Sequence, residues 1–230
     1  MLGQERTVRT VEIKEDITSR NNAEAAVIRQ ELEERGIFYL NVMSSPGSGK
    51  TTLLVSLIER LREFYRIGVI EADIDSDVDA VTIGKTGVRT IQMHTAGACH
   101  ITCQMSREAL EALGTDELDI VILENIGNLV CPAEFDTGAT KNLVLLSVPE
   151  GDDKPLKYPL MFEVASAVAV TKADVAPAFD FSVERARENV RRRNPDAPVF
   201  VTSALTGEGV AELEAYIRRE ADKVKNAKRI

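Results

Sequence analysis

The sequence predicts an α/β fold in which a mostly parallel central sheet is flanked by helices on both faces. Two observations lead to this class. Seven short β-prone segments alternate with helical segments along the 230 residues, and several of the seven are apolar throughout. Continuous apolar strands are typical of a parallel sheet that helices cover on both sides. Hydrophobic residues make up 44 % of the chain, which is enough for a sizeable core.

The elements follow in order along the chain. An amphipathic helix is predicted at 21–35, with apolar side chains at Ala26, Val27 and Leu32, and it either covers an edge of the sheet or mediates self-association. Strands are predicted at 39–43, 67–72, 90–94, 120–124, 142–148, 167–171 and 199–202. Further helices are predicted at 51–65, 77–85, 102–113, 181–193 and 210–225, and a long loop at 149–158.

Composition argues against several classes of partner and location. The net charge is −9 without a dense basic cluster, so we expect no nucleic-acid partner and no membrane surface. The arginines of 185–193 lie at helical spacings among Glu184 and Glu188, as on a solvated helix face. The polar start of the chain is unlike a signal peptide, and no apolar run is long enough to span a membrane. Three cysteines are too few and odd in number for a disulfide framework. The polar start, the lack of a membrane-spanning run and the cysteine count together predict a cytoplasmic protein.

A glycine-rich loop follows the first predicted strand and opens the next helix. Its residues are Ser45, Pro46, Gly47, Ser48, Gly49, Lys50, Thr51 and Thr52. The pattern is G-x-x-x-x-G-K-[ST], except that Ser44 stands where the first glycine is usual. Backbone N–H groups and the helix N-terminus would bind phosphates, Lys50 would reach the β- and γ-phosphates, and Thr51 would hold Mg²⁺. The strand–loop–helix context indicates a P-loop NTPase.

Carboxylates follow two other strands of the predicted sheet. Asp73, Asp75, Asp77 and Asp79 come after the second strand, and Glu124 ends the fourth. Ligands of a parallel sheet bind beyond the carboxyl ends of its strands, where a nucleotide-bound Mg²⁺ needs a carboxylate. We therefore expect Lys50, Asp73 and Glu124 to take part in catalysis. Asp73 and Glu124 are the first choices as Mg²⁺ ligands and Asp79 is the second, while Gly127 would let the nearby chain sense the γ-phosphate.

The base is predicted from two short elements that follow the last two strands. Thr171-Lys172-Ala173-Asp174 resembles the N-K-x-D signature of GTPases, in which the aspartate accepts two hydrogen bonds from guanine. Ser203 and Ala204 resemble the element whose backbone N–H meets the guanine carbonyl. Thr171 replaces the signature asparagine and removes a carboxamide that braces the site. The nucleotide is therefore expected to be GTP, and the domains to be an arm and helix at 1–36 and a P-loop GTPase domain at 37–230.

Cys99, His100 and Cys131 are candidate ligands of a transition metal. Thiolate and imidazole suit Ni²⁺ or Zn²⁺. Three ligands are too few for a closed tetrahedral site in one chain, whereas two subunits about a two-fold axis would bring six. On spacing alone, two buried cysteines and an unrelated histidine are the better interpretation.

The chain resembles the HypB family of GTPases, which support nickel insertion into [NiFe] hydrogenase. The similar segments are 41–52, Thr95-Ala-Gly-Ala-Cys-His100, 124–133 and 149–159. The resemblance implies GTP-dependent homodimerisation, a nickel chaperone and the hydrogenase large subunit as partners, and cofactors GTP, Mg²⁺ and Ni²⁺ or Zn²⁺. It maps a metal site at the dimer interface onto Cys99, His100 and Cys131, and base binding onto Lys172 and Asp174. A serine at position 44 is not unusual in this family.

Three departures from the family pattern limit what it implies. Residues 1–35 contain neither Cys nor His, so a nickel-storage role for the N-terminus has no support. Thr171 replaces the usual asparagine, and Ile101-Thr102-Cys103 replaces the usual Leu-Asp-Ala. Cys103 is expected to be a buried helix thiol rather than a metal ligand. His94 is a further possible ligand, and for it too a role outside the metal site is favoured.

Other functions stay open at this point. One is a Zn²⁺-stabilised dimeric module in which GTP turnover is incidental. Another is a urease-type nickel GTPase, although that family carries Cys-Pro-His where this chain has adjacent Cys99 and His100. A small-molecule kinase is disfavoured by Asp174.

Overall fold

A computed structural model describes residues 13–73 and 77–228, with side chains from residue 18 onward. Its sheet has seven strands in the order β3-β2-β4-β1-β5-β6-β7, and every pair of neighbours is parallel. This confirms the predicted α/β class and all seven strands, each end within one residue of its prediction. The strands are β1 Phe38–Met43, β2 Ile67–Asp73, β3 Arg89–His94, β4 Ile120–Glu124, β5 Lys141–Ser147, β6 Ala167–Thr171 and β7 Val199–Val201.

Helices cover both faces of the sheet. One face of β1, with Phe38, Leu40 and Val42, packs on the second and last helices, and the opposite face, with Tyr39, packs on the first and fourth. The helices are α1 Ile13–Glu34, α2 Lys50–Leu61, α3 Val78–Gly84, α4 Cys103–Leu113, α5 Cys131–Glu134, α6 Lys154–Lys157, α7 Pro159–Glu163, α8 Val183–Arg193 and α9 Val210–Ala227. None of these helices is both long and apolar enough to cross a membrane.

Helix α1 lies on a face of the sheet and not at its edge, so the predicted edge cover is wrong. Ala25, Ile28 and Leu32 are buried and pack against β1 and α4. Strand β1 is the middle strand of the seven, which places the helix over the centre. The buried stripe also differs from the predicted one, because Ala26 and Val27 are exposed. The buried apolar positions 25, 28 and 32 keep helical spacing, with Ala25 and Ile28 in place of Ala26 and Val27.

The long loop predicted at 149–158 is partly wrong, because short helical turns occupy it. A 3₁₀ turn at Val148–Glu150 and helix α6 each carry a proline in their first turn. Proline is pre-organised for that position, since its φ is helical and its missing N–H has no helical partner there. Ser147 and Glu150 also form a reciprocal capping box. The prolines were therefore signals for helix starts, not only for a loop.

The carboxyl ends of the strands form the edge on which the predicted site residues converge. The glycine-rich loop follows β1, Glu124 ends β4 and Thr171 ends β6. Helix α2 starts at Lys50, one residue before the predicted start at 51, and ends at Leu61, four residues before the predicted end at 65. Asp75 lies outside the described residues.

Candidate functional site

The glycine-rich loop joins β1 directly to α2. Gly47 and Gly49 have φ angles of 72° and 87°, a region that favours glycine, and Gly49 is the N-cap residue of α2. The first backbone N–H groups of α2 have no partner within the helix and point out of its N-terminus. This loop therefore offers an anion-binding geometry of the kind that phosphates occupy.

Ser44 holds the side chains of the loop together. It is fully buried, and its hydroxyl accepts hydrogen bonds from Lys50 Nζ at 3.1 Å and from Ser48 Oγ at 2.5 Å. The same hydroxyl donates to the carbonyl of Ser45 at 2.8 Å. Glycine at this position would offer none of these bonds. The departure from the usual pattern thus gives Lys50 a hydrogen-bond partner inside the loop.

Glu150 fixes the start of the loop from outside, a contact that the sequence did not reveal. Ser45 Oγ donates a short hydrogen bond to one carboxylate oxygen of Glu150. The other oxygen accepts from Ser147 N at 2.9 Å and from Ser147 Oγ at 2.7 Å. The sequence signal that could have pointed to Glu150 is its place in the segment 149–159, which resembles the HypB family. Its carboxylate links the end of β5 to the glycine-rich loop.

Three carboxylates come together beside Thr51. Glu71, Asp79 and Glu124 each have an oxygen within 4.8 Å of the others. Glu124 is 2 % exposed, and its Oε1 accepts from Thr51 Oγ1 at 2.8 Å. Asp79 and Glu124 were predicted, whereas Glu71 was missed because it reads as an interior residue of a strand. Asp73, at the end of β2, lies outside this group of three.

The electrostatics of this cluster fit a divalent cation. Burial raises the pKa of Glu71 to about 8, with the charge of Glu124 adding to the effect. Burial also raises the pKa of Glu124 to about 7, against the hydrogen bond from Thr51. One oxygen of each glutamate is buried without a hydrogen-bond partner among the described residues. Such oxygens and the Thr51 hydroxyl are the ligands that Mg²⁺ takes.

A cavity of about 250 Å³ lies beside the glycine-rich loop. It is lined by backbone and side chains of both predicted base-binding elements, including Lys172, Asp174 and Ala204. Ser203 Oγ donates to Asp174 Oδ1 at 2.6 Å, which ties the two elements together. The structure thus brings Lys172, Asp174 and Ala204 to the rim of one pocket, whereas Ser203 is fully buried and does not line it.

Thr171 and Lys172 attach this pocket to the glycine-rich loop. Thr171 Oγ1 donates to the carbonyl of Ser48 at 2.7 Å, and Lys172 Nζ donates to the carbonyl of Gly47 at 2.7 Å. Lys172 adopts a left-handed backbone with φ of 58°, which turns the chain sharply after β6. The threonine that replaces the signature asparagine therefore supplies a brace of its own through its hydroxyl.

Cys99, His100 and Cys131 form a second cluster. Their ligand atoms lie within 4.8 Å of one another, and Cys99 Sγ is 3.7 Å from His100 Nδ1. The imidazole stacks on Phe135 with ring centroids 3.8 Å apart. Hydrogen bonding with Cys131 and burial raise the pKa of the Cys99 thiol, and burial lowers the pKa of His100. Neutral imidazole and two adjacent sulfurs suit a soft or borderline transition metal.

The two further candidate ligands lie outside this cluster. Cys103 is buried at the start of α4, where Sγ donates to Glu24 Oε2 at 3.2 Å. Burial and this carboxylate raise the pKa of Cys103 to about 11, so it is a poor thiolate ligand. His94 is exposed at the end of β3.

A short segment joins the carboxylate cluster to the thiol cluster. It runs from Glu124 to Cys131 and packs on the glycine-rich loop at Gly127, where an added Cβ would lie 3.0 Å from the backbone of Pro46. Asn125 is buried, and its side chain donates to Asn41 Oδ1 at 3.0 Å. Asn128 Nδ2 donates to the Cys99 carbonyl at 3.2 Å. The segment thus contacts the phosphate loop at one end and the cysteine loop at the other.

Comparisons with known proteins identify relatives of this chain. Residues 38–201 match the family described as CobW/HypB/UreG, nucleotide-binding domain. A Rhizobium leguminosarum bv. viciae protein named hydrogenase maturation factor HypB is 44 % identical over 213 residues, 93 % of this chain and 71 % of that protein. A Helicobacter pylori protein named hydrogenase/urease maturation factor HypB is 40 % identical over 213 residues, covering 90 % and 86 %. The crystal structure of HypB from Helicobacter pylori in complex with nickel superposes with a TM-score of 0.83 at 38 % identity, covering 89 % of this chain and 96 % of that one.

Proposed function

The chain belongs to the CobW/HypB/UreG family, and on that premise we propose that it is a GTP-hydrolysing metallochaperone that assists nickel insertion into [NiFe] hydrogenase. One observation carries the proposal. The segment that leads from Glu124 to Cys131 packs against the phosphate loop at Gly127 and Pro46. One short segment of the chain therefore carries both a carboxylate of the nucleotide site and a thiol of the thiol–imidazole cluster. The similarity to a nickel-bound HypB structure supports nickel as the cargo.

The nucleotide half of the proposal assigns GTP to the edge of the sheet. Residues 45–52 bind the phosphates, and Lys172, Asp174, Ser203 and Ala204 bind guanine. Two acceptor oxygens of Asp174 match the adjacent N1–H and 2-NH₂ donors of guanine, a donor pair that adenine does not offer. Lys50 Nζ lies 3.1 Å from Ser44 Oγ, which holds the ammonium inside the loop where it would bind phosphate oxygens. Lys50, Asp73 and Glu124 are the proposed catalytic residues.

Magnesium is the proposed cofactor of hydrolysis. Thr51 and Glu124 would hold it, with Asp79, Asp73 and Glu71 near enough on the same edge to bind it or its waters. When bound, the ion neutralises charge that develops on the phosphates during transfer. Glu124 is oriented for this role by the hydrogen bond from Thr51 at 2.8 Å. The buried glutamates would then be relieved of their mutual repulsion.

The metal half of the proposal assigns Ni²⁺, or Zn²⁺ in its place, to Cys99, His100 and Cys131. Cys99 is exposed, so a cargo bound here is accessible to a partner. Three donors leave the coordination incomplete, and a GTP-dependent homodimer would bring two such sets together. A nickel chaperone and the hydrogenase large subunit are the proposed partners, and the cytoplasm is the proposed location.

Two measurements on the full chain test this assignment. We expect GTP to be hydrolysed in preference to ATP, and Asp174→Ala to remove the preference because the guanine donors lose their acceptor. We expect Cys131→Ala to weaken Ni²⁺ binding in equilibrium dialysis by at least about tenfold, whereas Cys103→Ser leaves it unchanged. Equal turnover of GTP and ATP, or equal Ni²⁺ binding by wild type and Cys131→Ala, contradicts the proposal.

One comparison favours a second client. The Helicobacter pylori relative is named a hydrogenase/urease maturation factor. Delivery to a urease is therefore the second candidate function for this chain. Activation of apo-hydrogenase and apo-urease by the nickel-loaded protein in parallel assays would separate the two clients.

A further inference from the structure

We propose that Asn21 is a positioning residue for the thiol–imidazole cluster, because its side chain joins the two chain segments that carry Cys99, His100 and Cys131. The inference rests on the proposed function of that cluster. It gives helix α1 a role at a site to which the helix contributes no candidate ligand.

Both ends of the Asn21 amide are used, and each end holds a different segment. Asn21 Oδ1 accepts from the backbone N–H of Cys103 at 2.9 Å, and Nδ2 donates to the carbonyl of Asp136 at 2.8 Å. Cys103 begins α4 shortly after His100, and Asp136 follows the short helix that starts at Cys131. Asn21 is only 6 % exposed, so water competes little for these bonds. One buried side chain therefore bridges the two halves of the cluster.

A second contact of the same helix holds the Asp136 side in place. Arg29 Nη2 donates to both carboxylate oxygens of Asp136 at 2.7 Å, and Arg29 Nε donates to the carbonyl of Ala139 at 2.8 Å. Gly138 packs so closely on α1 that an added Cβ would lie 2.8 Å from Ile28. The stretch after α5 is thus fixed along α1 over several residues, with Asn21 at the end nearest the cysteines.

Among the described residues, two further contacts join the halves of the cluster, the stacking of His100 on Phe135 and a hydrogen bond from Asn128, and all three of these residues are partly exposed. Cys99 is exposed, and Val130, next to Cys131, is 52 % exposed. Between the two segments, Asn128 makes one hydrogen bond to the carbonyl of Cys99, and Asn128 belongs to the partly exposed segment itself. Groups that orient ligands without touching the metal change affinity when they are removed. Asn21 is buried and anchored on a long helix, which makes it the fixed point of the arrangement.

The test uses the metal-free full chain, so that it does not depend on metal binding. The rate at which dibromobimane, a reagent that spans two thiols, cross-links Cys99 to Cys131 reports how often the two sulfurs are close. Asn21→Leu removes both hydrogen bonds, and Asn21→Asp keeps the acceptor for Cys103 but loses the donor to Asp136. Gln30→Leu is the matched control, because Gln30 lies on the exposed side of α1 and bonds only Glu34 among the described residues. Cys131→Ala provides the blank.

We expect both Asn21 variants to cross-link several-fold more slowly than wild type and to bind Ni²⁺ about tenfold more weakly. Gln30→Leu matches wild type in both assays, and all variants keep the wild-type affinity for GTP. Unchanged cross-linking in Asn21→Asp overturns the inference, as does a parallel loss of GTP affinity, which would mark general unfolding. If wild type cross-links rapidly but binds no Ni²⁺, the proposed function fails while the cross-linking rates still decide the positioning role.

Discussion

Single hydroxyl groups set the geometry of the phosphate loop. Ser44 bonds the Lys50 ammonium, and Thr171 bonds the carbonyl of Ser48, so two residues that depart from the common patterns both brace the loop. The sequence could identify these positions as departures. It could not show their bonds, because each partner is fixed by how β1 and β6 lie across the sheet. Ser48 is itself fully buried, so its carbonyl depends on protein partners.

Thr171→Val tests the brace at the residue scale. Valine has the same shape but no hydroxyl, and the buried carbonyl of Ser48 loses its donor. We expect the free energy of unfolding to fall by about 1–3 kcal/mol and the affinity for GTP to fall several-fold. Thr171→Ser keeps the donor and should stay close to wild type in chemical denaturation and in GTP titration. Wild-type behaviour of Thr171→Val, or a loss in Thr171→Ser as large as that in Thr171→Val, would contradict a specific role for the hydroxyl.

The segment between β4 and α5 is the element that connects the two clusters. Its Gly127 lies against Pro46 of the phosphate loop, and Asn125 anchors its start on β1 through Asn41. The sequence predicted that Gly127 would let the nearby chain sense the γ-phosphate. It could not predict the contact with Pro46, because the contact depends on how the loop after β1 curls over the end of β4. A close packed contact of this kind couples the positions of the two segments.

Gly127→Ala tests this contact at the element scale. The added Cβ would lie 3.0 Å from the Pro46 backbone, so one of the two segments has to move. We expect weaker GTP binding, slower turnover and a loss of about 1–3 kcal/mol in the free energy of unfolding. Gly84→Ala is the matched control, because nothing lies within 4 Å of its added Cβ. Wild-type GTP binding and turnover in Gly127→Ala would show that the contact between Gly127 and Pro46 is not needed for either.

At the scale of the whole molecule, the sequence predicted the sheet and the location of the site better than the contacts within it. All seven strands were predicted because apolar runs and turns are local signals. The position of α1 was not, since Ala25, Ile28 and Leu32 are buried by long-range packing. Glu71 was missed for the same reason. Inside β2 it reads as an ordinary strand residue, and only pairing with β4 brings it to Glu124.

Asp119 gives a prediction about global stability and pH. It lies between β2 and α9, and it accepts from Arg66 N at 2.9 Å and from Lys225 Nζ at 2.9 Å. Burial alone would raise the pKa of Asp119. The hydrogen bonds from Arg66 and Lys225 outweigh this effect and lower the pKa to about 2, from a usual value of 3.8. Because the folded pKa is the lower one, the ionised form stabilises the fold above pH 4. That stability is lost as pH falls toward 2.

We therefore expect Asp119→Asn to lower the free energy of unfolding at pH 7 by on the order of 1 kcal/mol, after allowance for solvent screening. The gap between variant and wild type should close as the pH is lowered from 4 to 2. Asp116→Asn is the control, because Asp116 pairs with Arg35 at 98 % exposure and should change stability little. A gap that stays constant down to pH 2 would contradict the charge argument.

The affinity for Ni²⁺ in the two nucleotide states is the decisive measurement of the coupling between the phosphate loop and the thiol–imidazole cluster. It is measured by competition with a chromophoric chelator, once with GDP and Mg²⁺ bound and once with a non-hydrolysable GTP analogue and Mg²⁺. Since Cys131 and Glu124 share one segment that contacts the phosphate loop, we expect the two affinities to differ by about 5- to 150-fold, the usual range of such coupling. In Gly127→Ala the difference should shrink, while Gly84→Ala should retain it. Equal Ni²⁺ affinities in the GDP and GTP-analogue states would show that the nucleotide state is not coupled to metal binding.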